Sequence, residues 1–351
     1  MAETKIAWAT HTENWMAGCA KVSAACADCY AIRQSAYLAS LSKAPDRYRG
    51  ITVGGQWTGE VRVDLARMHT LFDALDAARK PRRVFCNSMS DTFHAAVPQD
   101  ALDELGDRLY RLPERHVAML LTKRTPIMVA WSRRQADRKG SPLPRNVYLG
   151  VTVEDQASAD ARVPLLLDAE AGAVGGLLYL SMEPLLEAVT LQRLVYKGVV
   201  AVDALRGLAG WPLPHAERSI GGVPYRRVEW VIAGGESGPR ARPMHPAWAR
   251  SLRDECASAG TPFLLKQWGE WAPGEEVERN GTAWTGMYED DPRDGGAPQH
   301  HWPDSAYRRP GLRGGADGAA GRVGGDTAVL RVGKRAAGRL LDGVLHDGAP
   351  E

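Results

Sequence analysis

Short apolar runs alternate with amphipathic stretches along most of this chain. Leu65, Met68, Leu71, Phe72 and Leu75 recur at helical spacing behind Asp64, a favoured N-cap residue, and Pro81 stops the run; a helix over 65–80 is predicted. A strand over 83–86 follows, ending in Asn87-Ser88-Met89-Ser90-Asp91. Leu102, Leu105, Leu109 and Leu112 then mark a helix starting near Pro98. Strands are predicted over 117–121, 147–153, 177–180, 228–233 and 262–265, with helical stretches running to about 167 and over 246–259. Ahead of this series lie a short strand at 5–8, a helix at 30–41 and a loop-like 46–56.

Short apolar strands separated by helices are the pattern of a parallel sheet with βαβ crossovers. In such folds ligands bind beyond the carboxyl ends of the strands. Those ends are polar here: Ser88, Ser90 and Asp91, then Thr122 and Lys123, then Glu154, Glu183 and Glu236. The repetition predicts one lined pocket. Two regions break the rhythm. Residues 195–227, rich in Pro and Gly, read as an insertion, and 271–351 read as a loosely structured, glycine-rich extension with a short helix at 334–341, leaving 1–270 as the main domain.

Composition adds bounds. A chain of 351 residues, 44% hydrophobic and 25% charged, is ordinary for a globular protein, and a net charge of +2 exerts no global pull on polyanions. No apolar run reaches the length of a membrane span. An odd set of five cysteines is no disulfide framework, so a reducing, cytoplasmic setting is expected.

The cysteines carry the most pointed chemistry. Cys19, Cys26 and Cys29 are separated by six and then two residues, and no hydrophobic period runs through them. Three such thiolates suit a 4Fe-4S cluster with one open iron. They equally suit a zinc knuckle completed by His11 or His94. Cys86 and Cys256 fall on apolar positions and read as core thiols. Lys123, Arg124, Arg133, Arg134, Arg138, Lys139 and Arg145 crowd one stretch around Trp131, and Arg226, Arg227, Arg240 and Arg242 form a second set. Either is a nucleic-acid contact or a solvated face. Ser88, Ser90 and Asp91 also have a plain reading as a strand-to-helix cap, and Glu154 and Glu183 as helix N-terminal acids. The run Gly234-Gly235-Glu236-Ser237-Gly238 is neither a P-loop nor a hydrolase elbow, since Pro239 stands where the second elbow glycine belongs.

Gly18-Cys19, then Cys26-Ala27-Asp28-Cys29-Tyr30-Ala31, resembles the cluster loop of radical S-adenosylmethionine enzymes of the spore photoproduct lyase-like branch. Ser88-Met89-Ser90-Asp91 and Thr122-Lys123 follow in that branch's order. With Glu183-Pro184-Leu185, Gly234-Gly235-Glu236-Ser237-Gly238-Pro239 and Lys266-Gln267-Trp268-Gly269 added, the chain is similar to the phage Gp37/Gp68 family over roughly 1–272. The resemblance implies a partial (β/α)6 TIM-like barrel and a cluster on Cys19, Cys26 and Cys29. It also implies S-adenosylmethionine cleaved to a 5′-deoxyadenosyl radical, and an external electron donor. Ser88, Ser90 and Asp91 would meet the methionine amino group, Lys123 its carboxylate or a substrate phosphate, and Glu154 and Glu183 would bind the ribose hydroxyls or serve as proton donor or acceptor. The backbone of Gly234, Gly235 and Glu236 would approach the rest of the cofactor. A nucleic acid or nucleotide is the substrate this implies, for base modification or repair by a phage-encoded enzyme. The first cysteine gap of six departs from the three typical of such enzymes. The competing expectation is a zinc- or cluster-stabilised nucleic-acid-binding module without catalysis.

Overall fold

The computed structural model describes residues 1–43, 45–167, 175–196, 200–210, 225–280, 287–289, 307–309 and 329–350. Its centre is an eight-stranded sheet: β1 (Ala2–Glu3), β2 (His11–Glu13), β3 (Arg83–Cys86), β4 (Val117–Thr122), β5 (Val147–Thr152), β6 (Leu177–Met182), β7 (Trp230–Gly234) and β8 (Phe263–Gln267). The strands lie side by side in chain order. β1 is antiparallel to β2, and every later neighbour is parallel. Helices α1 (Tyr30–Ser40) and α2 (Leu65–Ala77) join β2 to β3. Then α3 (Gln99–Tyr110), α4 (Thr125–Lys139), α5 (Gln156–Leu167) and α6 (Pro246–Ala259) fill the crossovers. The result is an open, curled half-barrel with flanking helices, a partial α/β barrel.

Side-chain alternation along the strands divides the core in two. Val84, Ala118, Leu120, Leu149, Val151, Leu178, Leu180 and Val231 face the helices. Phe85, Met119, Tyr148, Leu177, Tyr179, Trp230, Ile232 and Leu264 form a second cluster with Trp8 on the other face of the sheet. Trp8 packs on Phe85 with ring centroids 4.6 Å apart, and Tyr179 lies 6.4 Å from Trp8 and 6.3 Å from Trp230. These rings fill the concave face near the amino ends of the strands. The expected strand at 5–8 is a turn instead, which frees Trp8 to drop into that space.

Most element expectations match within a few residues, including the Asp64 N-cap, whose carboxylate accepts from the Arg67 N–H at 2.9 Å. The helix at 99–110 begins after Pro98, which is its N-cap. Helix α4 was hidden by its basic content. Where an insertion was expected, strands Leu194–Tyr196, Val200–Asp203 and Leu208–Gly210 form a small antiparallel sheet; 197–199 and 211–224 lie outside the described residues. Within the extension, Trp271–Pro273 pairs with Val329–Arg331, and Trp271, Ala272 and Leu330 join the main core. The expected terminal helix is one turn, Lys334–Ala337. Much of 281–328 lies outside the described residues.

Gly150 marks a point of close packing within the sheet. It stands beside Tyr179 on β6, and any side chain there would run into the phenol ring, which donates from its hydroxyl to the Leu120 carbonyl at 3.2 Å. Gly150→Ala is expected to lower stability by about 1–3 kcal/mol through overpacking. Urea unfolding followed by circular dichroism checks this, with Gln34→Ala on the exposed face of α1 as the comparison.

Candidate strand-end site

Alternation carries the concave face from aromatic at the bottom to polar at the top. Two residues beyond Leu121, Thr152, Ser181 and Leu264 come Lys123, Glu154, Glu183 and Lys266. Glu154 is fully buried and receives Lys123 at 3.2 Å and Arg162 at 2.6 Å. Glu183 lies 2.9 Å from Lys266 and accepts from the Ser181 hydroxyl at 3.2 Å. Lys266 also sits 5.9 Å above the Trp8 ring, joining the polar row to the aromatic floor. Glu236 forms a fork with Arg242, at 2.7 and 2.8 Å.

The serine-aspartate element after β3 is a structural knot. Asp91 accepts from the Thr122 hydroxyl at 2.7 Å, from the Phe93 N–H at 2.9 Å and from Arg124 at 2.7 Å. Ser88 donates to Asn14 Oδ1 at 3.3 Å, and Ser90 donates to the Met16 carbonyl at 3.3 Å. These residues tie the chain after β2 to the chain after β3. Gly234 and Gly235 allow close approach of neighbouring chain: a Cβ on Gly234 would lie 2.8 Å from Glu183 Oε1, and one on Gly235 would strike the Trp268 carbonyl.

The loop 18–29 is roped to the strand ends from several sides. Gly18 bridges to Ser90. Arg124 donates to the Ala20 carbonyl at 3.2 Å, Arg242 to the Ala24 carbonyl at 3.3 Å, and Arg240 pairs with Asp28 at 2.5 Å. Tyr30 donates its hydroxyl to the Ser88 carbonyl at 2.5 Å. Beside the loop, Cys29, Arg33, Gly55, Ser237 and Arg240 line a cavity of about 200 Å³.

The thiols do not converge on a metal. Cys19 lies 3.9 Å from Arg124 Nη1, Cys26 lies 3.7 Å from the Ser23 hydroxyl, and Cys29 is the N-cap of α1. Among the described residues no three His, Cys, Asp or Glu side chains form a group able to hold a metal ion. This corrects the expected 4Fe-4S cluster on Cys19, Cys26 and Cys29. With it go S-adenosylmethionine as cofactor and the radical enzyme activity built on that cluster. The zinc knuckle with His11 or His94 fails on the same ground. Burial pushes the Cys19 thiol up to about 11 and raises Cys29 as well. Cys86 and Cys256 are buried core thiols.

The basic stretches separate in space. Trp131 is 2% exposed and donates its indole N–H to the Leu102 carbonyl at 2.9 Å, so it is not available to stack a base. Arg134, Arg138 and Lys139 pair across to Asp103 and Asp107 on α3, and Arg145 pairs with Glu229. Arg226 and Arg227 precede β7, at the amino end of the sheet, whereas Arg240 and Arg242 follow it at the carboxyl end. Sequence reasoning missed Arg162 as the partner of Glu154 and Arg33 at the cavity. The signal for Arg162 was the buried carboxylate itself, which demands a cation.

Fold and site together define a partial α/β barrel with an ion-paired strand-end mouth beneath a tethered cysteine loop. The chain belongs to the family described as protein of unknown function (DUF5131), which matches residues 3–350. No curated protein and no solved structure matches it.

Burial pushes the Glu154 carboxyl up, but Lys123 and Arg162 outweigh it and hold the group below the ordinary carboxylate range. A carboxyl depressed on folding contributes stability above its unfolded value of about 4.5, lost as pH falls through the lower folded value. Glu154→Gln is expected to flatten the acid limb of the stability–pH curve. Glu154→Ala, which strands Lys123 and Arg162, is expected to cost about 3–5 kcal/mol at neutral pH. Urea titrations across the acid range measure both.

Proposed function

We propose that this protein is a nucleic-acid-binding module that works through its strand-end rim rather than through metal chemistry. The observation that carries the reading is the cationic rim of the mouth. Among the described residues, exposed Arg33 has no ion-pair partner, and Arg240, 80% exposed, has only the weak surface pair to Asp28 to release. Both line the cavity beside the loop, where the backbone of Gly238 lies against the Arg33 guanidinium. Lys21, on the same loop, donates to the Ala27 carbonyl and has no carboxylate partner among the described residues. By contrast, the cations deeper in the mouth, Lys123, Arg124, Arg162 and Lys266, are matched to buried or partly buried carboxylates and hold the site's shape. Phosphates suit the rim, because exposed guanidinium groups recognise them bidentately and release counterions on contact.

Fluorescence anisotropy with labelled oligonucleotides over a salt series tests this. Affinity is expected to fall steeply with salt and to be unchanged by a chelator. Arg33→Ala and Arg240→Ala are each expected to reduce the slope of log affinity against log salt by about 1. Binding that ignores salt, or is abolished by the chelator, would sink the proposal.

A further inference from the structure

Helix α1 shows an unusual outer face. Tyr30 is 52% exposed, Tyr37 59% and Leu41 39%, with exposed Arg33 and Gln34 between them. Tyr30, Arg33, Gln34 and Tyr37 follow the three-, four- and seven-residue spacings of a single helical stripe, and Leu41 is the C-cap just beyond it. A surface helix usually places polar side chains there and its apolar residues inward, as Ala31 and Ile32 are placed here. The hairpin Thr52–Val53 and Gln56–Trp57 adds Val53, 69% exposed, and its turn residue Gly55 lines the cavity with Ile32, Arg33 and Arg240. Stripe and cavity therefore meet at Arg33, which belongs to both.

We infer that this stripe is a base-stacking platform, making single-stranded nucleic acid the ligand of the rim; the inference rests on the nucleic-acid reading above. Tyr30 is pinned by its buried hydroxyl on the Ser88 carbonyl, yet half the residue stays exposed, so its ring is held in one orientation before any ligand arrives. Pre-organisation of this kind lowers the cost of binding. At 1.5 Å per residue, Tyr30 and Tyr37 stand roughly 10 Å apart along the helix. Arg33 lies between them, one turn from each, where a phosphate linking two stacked nucleotides would pass. Aromatic faces alternating with a guanidinium match single strands, whose bases are free to leave the stack; a duplex offers only its edges and backbone. A two-fold interface centred on this stripe would set Arg33 against Arg33, which the charge disfavours.

The experiment compares a single-stranded oligonucleotide, an abasic strand with the same phosphates, and the corresponding duplex, against wild type, Tyr37→Phe and Tyr37→Ala. No side-chain hydrogen bond is recorded for Tyr37 among the described residues, so its replacement leaves the fold intact, checked by circular dichroism. The wild type is expected to prefer the ordinary strand over both others. Tyr37→Phe is expected to bind like wild type, and Tyr37→Ala about 5- to 150-fold more weakly with an unchanged salt slope. Equal affinity for the abasic strand, or wild-type affinity in Tyr37→Ala, overturns the platform while leaving the cationic rim standing. Loss of a dimer in Tyr37→Ala with no change in oligonucleotide binding assigns the stripe to self-association and overturns it too. If no oligonucleotide binds at all, the reading of the rim falls with it.

Discussion

An open, curled sheet has a concave face that must be covered, and in this chain it is covered by its own aromatic rings. Trp8, Phe85, Tyr148, Tyr179 and Trp230 fill the lower half of the curve. The Tyr179 ring reaches across Gly150 to the Leu120 carbonyl, so three adjacent strands are locked by one side chain. Because the bottom is solid, polarity is confined to the top. Alternation then obliges Lys123, Glu154, Glu183 and Lys266 to share that end.

Placing several carboxylates together away from water demands compensation, and the strand ends supply it pair by pair. Asp91 takes Arg124, Glu154 takes Lys123 and Arg162, Glu183 takes Lys266, and Glu236 takes Arg242. Buried pairs of this kind are costly to break and modest in net gain, so their contribution is to specify geometry. Two of the same arginines continue outward to the carbonyls of the cysteine loop. The loop's position is thus set by the same residues that neutralise the mouth.

The sheet was legible because strands buried on both faces read as apolar runs, and their polar ends marked the mouth. Helix α4 was obscured, since its arginines and lysine dominate the pattern, although Thr125, Met128, Val129 and Trp131 form its buried face. Trp131 in particular reads as a surface aromatic among cations, and only the fold turns it inward. The cysteines misled for a different reason. Spacing along the chain limits how near thiols can come, but not which way they point; Arg124 and Ser23 hold Cys19 and Cys26 to separate neighbours. Arg33 escaped notice because a single arginine on a helix carries no pattern.

The last strand of the sheet has one further neighbour. The Leu265 N–H donates to the His346 carbonyl, the Gly348 N–H to the Phe263 carbonyl, and the Trp230 indole N–H to the Gly348 carbonyl. Residues 346–348 therefore cover the free edge of β8, which would otherwise be open to pairing with another chain. On the ribosome, β8 is made about 80 residues before its cover. At about 5–20 residues per second, that edge waits roughly 4–16 seconds for protection. The glycine-rich run between the two has a cost in time: it lengthens the period in which a nascent sheet is exposed to its neighbours on a polysome.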